Sequence, residues 1–384
     1  MSFYPTIQRS REGSQRQFCY QLYMGNSEGK TKEFDKSSAS STSRRIDKRV
    51  EQAFVTLTGS ASTALTFGIL KGVFSEGLAE SLWKYLSDSK PCDATLSIDE
   101  FSRHAPSLMG TSTDIYIKVC QPVLHLIKTC SEAAGAGAVA GDEPFIRNLV
   151  NEMSAGGSNA NAIICWKNAL CPKFCNALQG LVLQVFLGYN YPATDYSSDI
   201  LTPLQMWYVQ CSLPGKYFAT ENTKKTNVFD YRGPTVSIFE LTDKSVYVLA
   251  TEETWRHGSS RFGGSDTMLF QLAPKLDRWE ASASIYCNFK IRSAGFGLSF
   301  KDVMKIDKDM SNIESIEVWG CAASNALEDQ QKLRMWQNQQ AEKNRKVPLP
   351  GNWDDNPDKT ILEMAGFKFS DERRKMDLEA QSTR

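Results

Sequence analysis

The sequence predicts an α+β protein, with helices filling the first half and an antiparallel sheet filling the second. Three observations predict it. Apolar residues recur at helical spacing between Ile46 and Tyr189, a period of two replaces that spacing after Tyr191, and a polar, helix-prone stretch follows Ala322. The expected organisation is an unstructured segment 1–45, a helical region 46–191, a β-rich region 201–322 and a polar helical tail 323–384.

The N-terminal segment is serine-rich, as in "DKSSASSTSRR" (Asp35 to Arg45), and carries too little apolar surface to offset the entropy of ordering it. Its "GNSEGKT" (Gly25 to Thr31) imitates a phosphate loop, but three residues separate the first glycine from Gly-Lys where four are needed, and a polar run stands where a buried helix should follow. Nucleotide binding is therefore not expected. The same residues fit N-myristoylation of Gly25 if translation starts at Met24, although Gly29 stands where Ser or Thr is usual. One acyl chain binds membrane only marginally, and "RRIDKR" (Arg44 to Arg49) would be its basic helper.

Ile46, Val50, Phe54 and Leu57 mark a first helix, and Leu78, Leu82, Tyr85 and Leu86 another. "DATLSIDEFSR" (Asp93 to Arg103) looks like the closing half of a calcium-binding EF-hand, with Glu100 as the final ligand. Counting back puts Ser89, Pro91 and Asp93 at the first, third and fifth ligand positions and Ala94 where the turn wants glycine. Calcium needs six or more oxygens, so a degenerate, metal-free helix pair is expected at Asp93 and Glu100. Helices continue through Asp114 to Cys130, divided at Pro122, and small-residue linkers lead to an apolar helical segment from Ile163 to Tyr189. Cys165, Cys171 and Cys175 in that segment would supply three zinc ligands with no fourth at ordinary spacing, which favours helix packing over a metal site.

In the second half, "TVSIFEL" (Thr235 to Leu241) and "SVYVLA" (Ser245 to Ala250) flank a short turn and read as a hairpin. "SIYCNFKI" (Ser284 to Ile291) alternates cleanly and "ESIEVWG" (Glu314 to Gly320) closes the set, giving an antiparallel meander or sandwich with one face turned to water. Between the strands, "EETWRHGSSRFGGSDTMLFQLAP" (Glu252 to Pro274) gathers glycines, arginines and a histidine. Gly263 and Gly264 suit a tight connection that returns Phe262, Met268 and Phe270 to a core. Arg256, His257 and Arg261 are candidates for partner contact.

Forty-four basic and forty-four acidic residues cancel, so no whole-molecule field draws the chain to nucleic acid. Ten scattered cysteines, no apolar leader in the first thirty residues and no apolar run of about 18 residues suggest a reducing, cytosolic setting. His104, His125 and His257 lie far apart, and neither a nucleophile elbow nor a dinucleotide fingerprint occurs.

The strand and loop motifs, from "RGPTVSIFEL" to "IESIEVWGC", resemble the TLDc family. The matching residues are Arg232, Gly233, Pro234, Trp255, Phe262, Gly263, Gly264, Leu269, Phe270, Pro274, Glu317, Val318, Trp319 and Gly320. The likeness runs from Leu201 to Ala322, and the helical half with its Met-Gly-Asn-Ser stretch is similar to the mTOR-associated, lysosome-linked branch. The interval from Pro274 to Glu314 is shorter than the family pattern, which implies either a truncated sheet or a gene model that has lost an exon.

The resemblance implies a non-catalytic interaction protein without cofactor, acting on the vacuolar proton pump, lysosomal mTOR signalling or oxidative-stress resistance. Its partner would be a pump subunit or mTOR-pathway component, and its place the cytoplasm or the face of lysosomal or endosomal membranes. Two alternatives stand beside it. One is an enzyme of unknown reaction with a cleft uniting His257, a buried carboxylate and Cys287 or Cys211; the other is a calcium-responsive adaptor.

Overall fold

The computed structural model describes residues 46–191, 194–218, 224–225, 233–290, 295–321, 326–345 and 357–366. The expectations for segment 1–45, including Met24 and Gly25, fall outside them, as does Arg232. The chain forms two compact units, Met1–Ser324 and Asn325–Arg384.

The first helices are set by their ends. Helix α1 (Lys48–Thr58) starts where the Asp47 carboxylate accepts from Arg49 N at 2.8 Å and stops at Gly59, whose φ of 78° favours glycine. Strand β1 (Leu65–Thr66) leads into α2 (Phe67–Val73), and α3 (Glu76–Leu86) into β2 (Thr95–Leu96) and α4 (Ile98–Leu108). β1 and β2 pair antiparallel, Leu65 opposite Leu96, and so tie two helix–loop–helix units together. Ser97 and Glu100 close a capping box on α4. The run after Asp114 divides at Pro122 as expected, into α5 (Asp114–Val119) and α6 (Val123–Ala133).

Three more helices complete this layer: α7 (Glu143–Ser154), α8 (Ala160–Leu170) and α9 (Asn176–Leu187). The single apolar segment expected from Ile163 to Tyr189 is thus two helices. Pro172 has no N–H to continue the ladder, so Cys171 to Cys175 form a connection rather than one turn of a helix. A further helix, α10 (Pro203–Ser212), stands where the change of period suggested strand; Thr202 and Gln205 build its capping box, with Pro203 at its first position.

The sheet strands are β3 (Lys224–Lys225), β4 (Thr235–Leu241), β5 (Val246–Thr251), β6 (Met268–Ala273), β7 (Asp277–Glu280) and β11 (Ile313–Gly320), in the antiparallel order β3-β11-β4-β5-β6-β7. A second sheet of β8 (Ile285–Cys287), β9 (Phe296–Phe300) and β10 (Met304–Asp307) has the order β10-β9-β8. The β4–β5 hairpin forms as read, with Lys244 left-handed (φ 66°) in its turn.

The larger sheet has no wet face in its centre, which corrects the expectation of one. Val236, Ile238, Val248, Ala250, Met268 and Phe270 point to a core shared with the helices. Their alternate neighbours Phe239, Leu241, Tyr247, Leu249 and Leu269 point to a second core shared with β8, β9 and β10. The result is three layers (helices, six strands, three strands), an α+β architecture. The interval from Pro274 to Glu314, read as truncated, holds β7, β8, β9 and β10. The second unit contains α11 (Ala326–Arg345) and α12 (Pro357–Met364) among the described residues.

Candidate functional site

The glycine-rich loop is closed by its own carboxylate. Glu252 Oε1 accepts from Asp266 N at 3.0 Å, and Oε2 accepts from Thr267 Oγ1 at 3.0 Å and from the Tyr217 hydroxyl at 3.4 Å. Tyr217 has one proton, which it shares between Glu252 and the nearer Asp266 O at 3.1 Å. A Cβ on Gly264 would lie 2.1 Å from Glu252 Oε1, so only glycine lets the carboxylate reach across. Gly263 needs its freedom for another reason: its φ is +111°, and a Cβ there would meet Thr267 Oγ1 at 2.9 Å.

Around this clamp the predicted motif residues serve packing. Phe262 is buried and bridges Ile285 of β8 through a reciprocal pair of 2.9 Å backbone bonds. Trp255 stacks edge-on against Phe262 at 5.8 Å and donates from Nε1 to Thr235 Oγ1 at 2.9 Å. Arg256 pairs with Glu253 and lies over the Phe262 ring, while Arg261 donates to Ser284 O at 2.9 Å. His257 is exposed, 6.3 Å from the Phe289 ring. Glu317 accepts from Ser198 Oγ at 2.6 Å, Asp199 N at 2.9 Å and Trp319 Nε1 at 2.9 Å, tying β11 to the segment before α10. Gly233 has a φ of 151°, and Pro234 O accepts from Cys321 N at 2.8 Å. Trp255 belongs to the second core and Trp319 to the first, so the two tryptophans serve opposite faces of the sheet.

The other candidate groups are spoken for. Glu100 Oε1 lies 2.5 Å from Lys90 Nζ, and its Oε2 accepts from Ser97 N at 3.0 Å. The lysine beside it holds the Glu100 carboxyl down at about 2. Asp93 is exposed, and no group of three metal-ligating side chains occurs among the described residues. His125 Nε2 sits 2.8 Å from Ser81 Oγ, but that hydroxyl donates to Gly77 O at 3.0 Å, leaving the imidazole as donor and the serine without a base. His104 Nε2 lies 2.8 Å from Asp88 Oδ1 without hydrogen-bond geometry. Cys211 sits in the first core, across the sheet from Cys287 in the second, and the Cys287 carbonyl accepts from Gly258 N at 3.1 Å, next to the exposed His257. Burial pushes the Cys287 thiol up to about 11 and also raises the Cys211 thiol above its ordinary range, which keeps both protonated near neutrality.

One polar cluster escaped the sequence reading. Where α7, α8 and α10 meet β6 and β7, Glu152 Oε2 accepts from the Tyr208 hydroxyl at 3.4 Å. Burial pushes the Glu152 carboxyl up to about 7 against the opposing influence of Trp166, Tyr208 and Arg278. Trp166 Nε1 lies close enough to favour the charged carboxylate, yet makes no hydrogen bond of sound geometry. The Nη groups of Arg278 are committed elsewhere, donating to Leu170 O at 2.5 Å and pairing with Glu280, while its buried Nε has no partner and its guanidinium lies 5.5 Å from the Phe270 ring. Asn148 Nδ2 donates to Pro274 O at 3.0 Å and stitches α7 to the end of β6. The available signal was Glu152 beside the apolar stripe Phe145, Leu149 and Met153, a charge where core was expected.

No family model matches the chain. It is 41% identical over 64 residues to a protein of Pyrenophora tritici-repentis named "Restriction of telomere capping protein 5", a match covering 17% of this chain and 10% of that protein. A Colletotrichum graminicola protein of the same name is 42% identical over 60 residues (16% and 10%), and one of Meyerozyma guilliermondii is 27% identical over 176 residues (33% and 30%). The matches thus span from a tenth to under a third of the relatives' length. These relatives overturn the assignment by resemblance to the TLDc family. With it go the vacuolar proton pump, mTOR signalling, oxidative-stress resistance and the lysosome as inferred role, partners and place. The enzyme and calcium-adaptor alternatives, and the cytoplasmic or lysosomal location, fall on the same finding. No helix among the described residues is long and apolar enough to cross a membrane.

Proposed function

We propose that this chain works in the nucleus in the restriction of telomere capping, the process for which its fungal relatives are named, and that it does so by binding rather than by catalysis. The observation that carries the reading is the local identity of 41–42% over 60–64 residues to proteins bearing that name. The consumption of the loop's polar groups in internal bonds supports binding over catalysis, since Glu252, Arg256 and Arg261 are each held by neighbours. The two helix–loop–helix units joined at Leu65 and Leu96 are read as an EF-hand-like pair that keeps its shape without calcium, the Lys90 ammonium standing beside Glu100 where a cation would be needed.

Complementation tests the reading. In a fungal strain lacking its own relative and sensitised by weakened chromosome-end protection, this chain is expected to restore the growth phenotype of the intact strain, and a fluorescent fusion to accumulate in the nucleus. Equal expression with no restoration, or exclusion from the nucleus, overturns it.

A further inference from the structure

We propose that the junction of α7, α8 and α10 with β6 and β7 is a proton-operated latch, in which Glu152 must be neutral for α7 to stay docked on the sheet edge. The inference concerns the scaffold and stands whether or not the telomeric reading holds.

The geometry comes first. Glu152 is carried on the helix that also places Phe145 5.6 Å edge-on from the Tyr208 ring, and Tyr208 in turn lies 6.5 Å from Phe270 of β6. The half-buried carboxyl therefore lies beside the aromatic contact that joins the helical layer to the sheet. The groups facing it are the Tyr208 phenol from α10, the Trp166 indole from α8, and Arg278 and Asp277 from β7. Tyr208 is fully buried, and its own phenol is raised above its ordinary range by burial first and by Glu152 second, so it remains a proton donor.

What the site lacks is a full complement of donors for a charge. The phenol reaches one oxygen at the long distance of 3.4 Å. The indole is misaligned, the guanidinium spends its two Nη groups on Leu170 O and Glu280, and its buried Nε reaches no acceptor, Glu152 included. Asp277 beside it repels a negative charge further. A neutral carboxylic acid fits this site, accepting from Tyr208 and carrying no charge to solvate; an ionised one does not. Relief on ionisation comes from moving α7 toward water, which breaks the Asn148–Pro274 bond and uncovers the Tyr208–Phe270 contact.

The sign follows from the raised carboxyl. Docking is fully supported below the ordinary carboxylate range near 4.5 and weakens as pH rises through about 7. Hydrogen–deuterium exchange on the full chain at pH 5.5 and pH 8, corrected for the intrinsic rate, reads it directly. The protection of α7 and β7 amides is expected to fall about twentyfold across that interval while β4 and β5 stay unchanged. Glu152→Gln should abolish the pH dependence. Tyr208→Phe, which removes a donor to the charged form, should move the midpoint to higher pH. A flat wild-type profile, a fall shared equally by β4 and β5, an undiminished fall in Glu152→Gln, or a Tyr208→Phe midpoint that stays put or drops overturns the latch.

Discussion

Glu252 and Glu152 are both half-buried carboxylates, and the protein treats them in opposite ways. Glu252 receives three donors, two of them from residues 266 and 267 of the very loop it closes. Glu152 receives one long bond from a helix 56 positions away in sequence, and its carboxyl rises to about 7. A loop folded on itself can aim its backbone N–H groups at a side chain, because the groups and the acceptor share a few bonds of tether. A junction of three helices and a sheet edge has already committed its backbone donors to ladders, so only side chains remain. The first arrangement makes rigid architecture and the second leaves a group able to change charge.

The sharpest way to break this comparison is to empty the junction's packing. Phe270 is fully buried, touches Tyr208 at 6.5 Å and carries Arg278 over its ring at 5.5 Å. Phe270→Ala is expected to cost about 3–5 kcal/mol of unfolding free energy, from lost transfer energy plus the cavity left behind. Denaturant unfolding followed by tryptophan fluorescence measures it. A loss under about 1 kcal/mol would mean that helices and sheet do not share the core described above.

Gly264→Ala attacks the loop instead. The new methyl would sit 2.1 Å from Glu252 Oε1, forcing the carboxylate off Asp266 N and Thr267 Oγ1. The expected loss is about 2–3 kcal/mol, the cost of leaving loop donors unpaired. Glu252→Ala in the same background should then add little, because the clamp is already open. Additive losses would show that the glycine and the carboxylate act separately.

How much of this was legible in the sequence differs between the two regions for the same physical reason. The hairpin of Thr235 to Ala250 was readable because strand alternation and a short turn are local signals. Its double burial was not: Thr235 and Ser237 look like a solvent face, yet both are fully buried on the face that Phe239 and Leu241 turn to the second sheet. Small hydroxyl residues fit tight interlayer space, and the sequence does not say which layer covers them. Gly263 and Gly264 announced a turn, but the closing partner, Glu252, lies twelve residues away from Gly264 and looks like any surface acid. The junction was hidden altogether, since Glu152, Trp166, Tyr208 and Arg278 come from four elements with no shared motif. Cys171 to Cys175 misled in the other direction: apolar composition suggested a continuous helix, and one proline divided it.

A gentler probe separates shape from bonding within the loop. Trp255→Phe keeps an aromatic ring near Phe262 but deletes the Nε1 donation to Thr235 Oγ1. A loss of about 1 kcal/mol is expected, the net worth of one partly buried hydrogen bond plus a little packing. A loss as large as that of Gly264→Ala would mean the indole, rather than Glu252, organises the loop.

The smallest effect is expected at Lys90, and it tests whether a third carboxylate belongs with Glu252 or with Glu152. Glu100 is satisfied like Glu252, by its own capping box, but it also has the Lys90 ammonium at 2.5 Å. Its carboxyl is held at about 2, so the pair contributes stability above the ordinary carboxylate range and loses it as pH falls toward 2. Lys90→Ala should therefore lower neutral-pH stability only slightly, because exposed ion pairs contribute little, and its difference from the wild type should vanish as pH falls toward 2. Calorimetric titration with calcium should stay flat for both wild type and Lys90→Ala, since Pro91 and Ala94 supply no ligating carboxylates. A saturable heat in the variant alone would show that the lysine excludes an ion from an otherwise competent loop, and a saturable heat in the wild type would show that the helix pair is not metal-free.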